Sequence, residues 1–407
     1  MTQVPAIADP PLPDGVHLGL SDIDYFGQDC MGSSDWNKLH SAGIGWWWGS
    51  RHNPNRKADK TTAEQAYGTA LHAILLEGVP AYEARFIVQP DPDDYVDLVT
   101  TGDQIKAKLK KEGFDITGKS AWNKEQWCDA MAANLPDVPC WDTIYANFEA
   151  RIAKRKTVTS LDDRMLRFMH KVATDPTRAD NEDVRQIFAQ DGTDHPPLAE
   201  VSIFATINGV RRRWRIDRML PTVDVDLKSL GSWRGRPLPY ETGEVLARRG
   251  WDLQRADYHI GRTTAYEHIR AGRIFGGTIE QRRYLQTFPD AYPIWDWCWL
   301  VFQKPDPKGQ APILFPIWDD SFLPRDPYHP DEPPKPSWLR GIGERKLQAA
   351  IRLYKTAKAE FGLDTPWARV EPLHFSDENR SPRIFLPHWI GDDTPTEAEA
   401  YEQEYTE

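Results

Sequence analysis

The sequence predicts a mixed α/β domain with a central sheet flanked by helices, and three observations lead there. Residues 198–230 carry apolar side chains in alternation through three successive runs, with a turn signal between the first two. Helical patterns with start and stop signals lie on both sides of those runs. No internal repeat, and no linker long enough to separate two domains, interrupts the series.

Taken in order, residues 1–24 read as a flexible leader, because the first twenty are rich in Pro, Asp and Gly and show no periodicity. A helix starts near Ser33 or Ser34, a Ser cap with Asp35 in the first turn, and leads into Trp46, Trp47 and Trp48. That aromatic cluster is assigned nothing beyond a wedge near a site entrance. A firmer helix covers residues 62–77: Thr61 and Glu64 have the capping-box spacing, the run ALHAILL follows, and Gly78 then Pro80 stop it.

Residues 100–175 read as mostly helical. Residues 198–207 form a strand, Asn208-Gly209 supplies a tight hairpin turn, residues 210–220 return, and a third strand follows at 223–230. Helical segments over 241–271, a strand around 297–303 and an amphipathic helix at 344–361 complete the pattern. The Pro-rich run 323–337 reads as a surface loop, residues 25–390 as one domain, and the acidic stretch 391–407 as a disordered tail.

A chain of 407 residues buries a sizeable core without disulfide staples. No stretch approaches the roughly 18 consecutive apolar residues of a membrane span, and the N-terminus lacks the features of a secretory signal. The expectation is a cytoplasmic protein of a bacterial or phage-infected cell, with no membrane partner. A net charge of −11 argues against indiscriminate coating of nucleic acid, but leaves room for a basic cleft in an acidic body. Cys30, Cys128, Cys140 and Cys298 form no CxxC pair, so neither a zinc knuckle nor a disulfide framework is expected, and buried reduced thiols are.

The third strand reads VDVDLKSL, and alternation puts Asp226 and Lys228 on one side of it. A carboxylate that holds a hard cation beside an amine that orients water is the pairing that metal-dependent phosphodiester cleavage uses. Taken alone, such a pair is more often a surface ion pair. Asp217 ends the preceding strand, where Arg213, Arg215 and Asp217 share a face, so an antiparallel partner brings it to Asp226 and Lys228. Glu200 offers a further carboxylate acting through water. Its alternative is a solvated glutamate at a strand end, and that of Asp217 is a partner for its arginine neighbours.

Gln254 and Tyr258 lie four residues apart on one helix face. His72, inside GTALHAILL, is either a satisfied core histidine or a metal ligand. Arg211, Arg212, Arg213, Arg215, Arg218, Arg234, Arg236, Arg248, Arg249 and Arg255 crowd the same region; among them Arg213 and Arg215, with Ser229 beside Lys228, are the candidate DNA contacts.

The order of these signals, a GTxxH helix, a carboxylate strand, DxK and then QxxxY, resembles the RecB-like branch of the PDDEXK nucleases. SSDWNKLHSAG, YGTALHAILLEG, FIVQP, PLAEVSIF, DLQRADYHIG, CWLVFQKPDP and IFLPHWI are similar to the exonuclease VIII (RecE-type) subgroup in particular. The resemblance runs from about residue 32 to 390 and is strongest over 198–259. It departs at Ser229-Leu230, where the family usually has Thr, and in the basic insert at 231–242.

It implies an α/β fold with a PDDEXK (restriction-endonuclease-like) core, a central mixed β-sheet flanked by helices. It implies His72, Asp217, Asp226 and the Leu227 carbonyl as ligands of Mg²⁺, with Mn²⁺ an alternative, and Lys228 as the catalytic lysine. Gln254 and Tyr258 would then brace site and strand. The implied activity is 5′→3′ exonuclease action on double-stranded DNA ends, leaving 3′ overhangs for a RecT-like single-strand annealing protein in recombination, by a homo-oligomer such as a tetramer. Some relatives carry an iron–sulfur cluster on cysteines grouped near the C-terminal end of the domain; only Cys298 stands there, so none is expected. A flap or structure-specific endonuclease, and a DNA-end-binding scaffold with a decayed site, remain as alternatives.

Overall fold

In the computed structural model the described residues are 11–56, 62–153, 155–175, 184, 187–188, 195–230, 238–303, 313–318 and 338–367. Asn208 and Gly209 take φ of 51° and 76°, as a two-residue hairpin requires, and close β4 (Ala199–Ile207) onto β5 (Val210–Met219) in antiparallel register. β6 (Val223–Leu230) folds back on β5, then pairs in parallel with β8 (Asp296–Gln303), which carries β9 (Ile313–Trp318). β1 (Gly15–Leu18) and β7 (Ile274–Gly276) extend the other side, giving a mixed seven-stranded sheet in the order β7-β1-β4-β5-β6-β8-β9. A parallel pair, β2 (Phe86–Val88) and β3 (Lys156–Val158), stands apart.

Helices cover both faces, as a buried mixed sheet requires. On one, α11 (Trp251–Arg270) and α12 (Ile279–Ala291) pack Tyr258, Ala265, Leu285 and Phe288 against Val201, Trp214, Ile216 and Trp299. On the other, α4 (Ala63–His72), the π-helical turn Ala73–Glu77 and α9 (Ser160–Thr174) pack Leu71, Ile74, Leu166 and Met169 against Val225, Leu227, Leu300 and Phe302. A third cluster joins α2 (Ser33–Ala42), α3 (Ile44–Arg51), α11 and α13 (Trp338–Phe361) around Trp36, Trp47, Leu253 and Tyr354. The remaining helices are α1 (Asp22–Phe26), α5 (Val79–Arg85), α6 (Gly102–Lys111), α7 (Lys124–Asn134), α8 (Trp141–Ile152) and α10 (Leu238–Arg249). No described helix is long and apolar enough to cross a membrane.

The leader expected over 1–24 is corrected from Gly15 onward. β1 pairs with β4 and β7, and α1 follows; four residues are too short a run for periodicity to register, and sheet neighbours impose the strand. The helix expected over 62–77 is in two parts. Its capping box is Thr62 with Gln65, one residue later than the pair the sequence offered, and its last five residues are π-helical. At α2 the cap is Gly32, whose amide donates to Asp35 at 2.9 Å, and not a serine. Trp47 and Trp48 pack in the third cluster, while Trp46 is exposed. Thr61, the insert residues 231–237 with Arg234 and Arg236, the Pro-rich run 323–337, the IFLPHWI segment and the 391–407 tail lie outside the described residues.

α11 lies so close to β5 that a Cβ on Gly261 would meet the Trp214 indole at 2.7 Å, and that indole is itself fully buried. Gly261→Ala therefore forces a rigid ring to shift and lowers stability by about 1–3 kcal/mol. A urea midpoint equal to that of wild type would contradict this packing.

Candidate metal centre

The β5–β6 ladder pairs only at Arg218↔Val225 and Met219↔Asp224, next to the connecting turn. Two residues beyond Val225, the Leu227 amide donates not to a strand carbonyl but to Asp217 Oδ2, at 2.7 Å. A side-chain carboxylate thus wedges into the ladder, and the strands part around it. Beyond the fork β5 stays with β4 while β6 stays with β8, leaving a gap that groups from both faces of the sheet can enter.

Glu200 borders the fork from β4. It lies between the pairs Ala199↔Arg218 and Val201↔Ile216, level with Asp217, and has φ of 52°. For a glutamate the left-handed region costs about 1–2 kcal/mol. Across it the neighbours change sides: Ala199 packs with the second cluster, Val201 with the first.

His72 arrives from the helical layer, as the last residue of α4 before the π turn. Such turns are frequent at functional positions. Its Nε2 lies 3.7 Å from Asp217 Oδ2 and its Nδ1 3.4 Å from Glu200 Oε1. Each of the three residues offers a donor atom, and these atoms lie within 4.8 Å of one another.

Asp226 and Lys228 line the fork from β6. Lys228 Nζ is 2.6 Å from Asp226 Oδ2, an ion-pair approach without hydrogen-bond geometry, and donates to Gln254 Oε1 at 2.9 Å. Gln254 Nε2 in turn donates to Asp226 Oδ1 at 2.9 Å, so one α11 amide spans amine and acid. The ammonium also lies 5.6 Å from the Trp251 ring centre. Tyr258, one turn beyond Gln254, is buried edge-on to Trp297.

The electrostatics follow from placing carboxylates out of water. Burial raises Asp226 to about 6; Lys228 opposes the rise and Asp217 adds to it. Asp217 is raised too, first by burial, with His72 opposing. Burial alone would lower His72, but Asp217 and Glu200 outweigh it and lift the imidazole to about 9. Tyr258 is pushed far up by burial and stays a neutral phenol.

Imidazole nitrogen with carboxylate oxygens suits Mn²⁺, and the carboxylates also suit Mg²⁺. The trio has donors of the right chemistry, and the surplus negative charge now held by a proton on His72 is the kind a divalent cation replaces.

The site differs from the expected one in several ways. The structure brings His72, Glu200 and Asp217 together, while Asp226 is drawn toward Lys228 and Gln254; Leu227 is seen at the site through its amide. Ser229 faces α4, where a Cβ on Gly68 would come 3.8 Å from its hydroxyl.

Arg213 and Arg215, expected at DNA, are engaged elsewhere. Arg213 Nη1 donates to the carbonyls of Tyr25, Phe26 and Gln28. Buried Arg215 bonds Ser202 Oγ and the Leu20 and Ser21 carbonyls, pairs with Asp22 at 2.6 Å, and lies 3.6 Å from Glu200. Alternation put both arginines on the right face but could not show that the N-terminal segment occupies it. Trp251 was missed; its one signal was its place three residues before Gln254.

No family profile matches the sequence, and no curated protein does. Among solved structures, a chain from Eubacterium rectale with the name "Putative exonuclease" is 11% identical, with a TM-score of 0.36, over 91% of this chain and 97% of that one. A likeness at that level transfers neither fold nor activity.

The folded value of His72, about 9, lies above its ordinary 6.5. The stability contributed by its charge is therefore complete below pH 6.5 and is lost as pH rises through 9. In chelator-treated protein the melting-temperature gap between wild type and His72→Gln narrows across that window. A gap that widens with pH would show that the imidazole is not held protonated by Asp217 and Glu200.

Proposed function

We propose that the chain is a metal-dependent deoxyribonuclease that hydrolyses phosphodiester bonds at the β5–β6 fork. The observation that carries this reading is the convergence of His72, Glu200 and Asp217 with an Asp226–Lys228 pair bridged by Gln254. His72, Asp217 and Glu200 would hold Mg²⁺ or Mn²⁺, with Asp226 turning to the same cation. Such an ion, when bound, supplies Lewis-acid activation of water and of a phosphoryl oxygen.

The chain's own residues do the rest. Lys228, fixed by Asp226, Gln254 and the Trp251 face, stands at the edge of the fork, where it orients water and offsets charge developing on a phosphate. Gln254 holds amine and acid in one register. Tyr258 backs that arrangement from inside the core and, as a neutral phenol, takes no proton in the step.

The sequence resemblance to the exonuclease VIII subgroup supports the finer reading. It has a PDDEXK core that degrades linear double-stranded DNA 5′→3′, leaving 3′ strands for a RecT-like annealing partner, and it acts as a homo-oligomer. Arg213 and Arg215 have no part in it, because the N-terminal segment occupies them.

Incubation with Mg²⁺ or Mn²⁺ and plasmid DNA tests this. Linear DNA is degraded and covalently closed circles are not. Lys228→Ala lowers the rate by about 10²–10³ in protein that is still folded at the assay temperature, although loss of the Asp226 partner lowers its melting temperature. End-labelled duplex releases label from the 5′ end first. Cutting of closed circles would replace the exonuclease with an endonuclease at the same site. Retention of DNA without cleavage in either metal would overturn the enzyme reading.

A further inference from the structure

Away from the fork, α6, α7 and the loop that leads into α8 build a small core of their own around Ile105, Leu109, Trp127 and Met131, and two thiols lie in it. Cys128 is on α7; Cys140 is the N-cap of α8, twelve residues later, and Asp142 is in the first turn of that helix. The backbone fixes Cys140 from both sides: Val99 N–H donates to Pro139 O at 2.9 Å and Trp141 N–H to Val99 O at 2.9 Å.

Two of the three donor–donor spacings match the edges of a tetrahedral shell. Thiolates at about 2.3 Å and a carboxylate at about 2.0 Å from zinc give S···S edges of about 3.8 Å and S···O edges of about 3.5 Å. Here the two Sγ atoms are 3.6 Å apart, and Cys128 Sγ is 3.5 Å from Asp142 Oδ2. Each of the three residues offers a donor atom, and all of these lie within 4.8 Å of one another.

Charge closes as well. Two thiolates and a carboxylate around a divalent cation leave one negative charge, and Lys124 Nζ lies 2.7 Å from Asp142 Oδ2 and 3.0 Å from Oδ1. Both thiols are buried while Asp142 is half-buried, so the cluster opens toward solvent on the carboxylate side.

We propose that Cys128, Cys140 and Asp142 form a second metal site, selective for a soft or borderline divalent cation of the zinc class, with Lys124 as the outer positioning residue. Binding releases the two thiol protons to solvent and ties α7 to the start of α8, stapling a core too small to be stable by itself. The donors differ in kind from those at the fork: thiolate selects zinc, cadmium or cobalt, whereas the oxygen-rich fork takes harder ions. The site stands whether or not the chain is a nuclease.

Cobalt is the probe, because only thiolate ligation gives a near-ultraviolet sulfur-to-cobalt charge-transfer band. Full-length reduced protein titrated with Co²⁺ should develop that band to saturation at one equivalent and lose it to Zn²⁺. It should be absent in Cys128→Ser and in Cys140→Ser, and Lys124→Met should weaken binding about 10- to 100-fold. His72→Ala keeps the band in full, which separates the two sites. A folded, reduced wild type with no such band overturns the proposal, whatever the variants do. A band that survives in both serine variants overturns it equally, by assigning the thiolates elsewhere.

Discussion

One hydrogen bond organises the candidate centre: the Leu227 amide donates to the Asp217 carboxylate, where a regular ladder would supply a carbonyl. Strand amides must be satisfied somewhere, and giving this one to a side chain ends the β5–β6 ladder two pairs from its turn. The gap that opens admits His72 from the helical layer on one face and Lys228 with Gln254 from the other. Were the ladder to continue, Asp217 and Asp226 would be ordinary cross-strand neighbours, and no third element could reach between them.

Three carboxylates in such a place are costly, and the structure offsets them one by one. Lys228 answers Asp226, the His72 proton is shared between Asp217 and Glu200, and Arg215 flanks Glu200 while spending most of its donors on the N-terminal segment. The neighbouring layers are held with comparable firmness. Arg262 pairs with Asp224 at 2.8 Å with both side chains buried, and Arg212 pairs with Asp257. These pairs fix α11, and with it Gln254, against the sheet. Positive φ at Glu200 is the one strained backbone feature at the fork among the described residues, and it sits where a carboxylate is most useful.

Much of this was legible in the residues. The Asn-Gly turn set the β4–β5 register, and period-two alternation put Asp226 and Lys228 together. The spacing of Gln254 and Tyr258 gave a common helix face. What escaped was whatever depends on remote partners. β1 is a strand because β4 and β7 flank it, and Glu200 reaches the metal trio through a backbone twist that no pattern announces. The arginines pointed where alternation said, but their true partners are carbonyls almost two hundred residues away in sequence. Cys128 and Cys140 form no CxxC pair, and their twelve residues of separation hide a contact that a helix and a loop bring to 3.6 Å.

The central claim is that the fork between β5 and β6 traps a divalent cation. Crystals soaked in Mn²⁺ and measured near the manganese absorption edge test it most directly. An anomalous peak bounded by the His72 imidazole and the Glu200 and Asp217 carboxylates is the expected result. A featureless fork at saturating manganese, with His72 turned away from both acids, would contradict it.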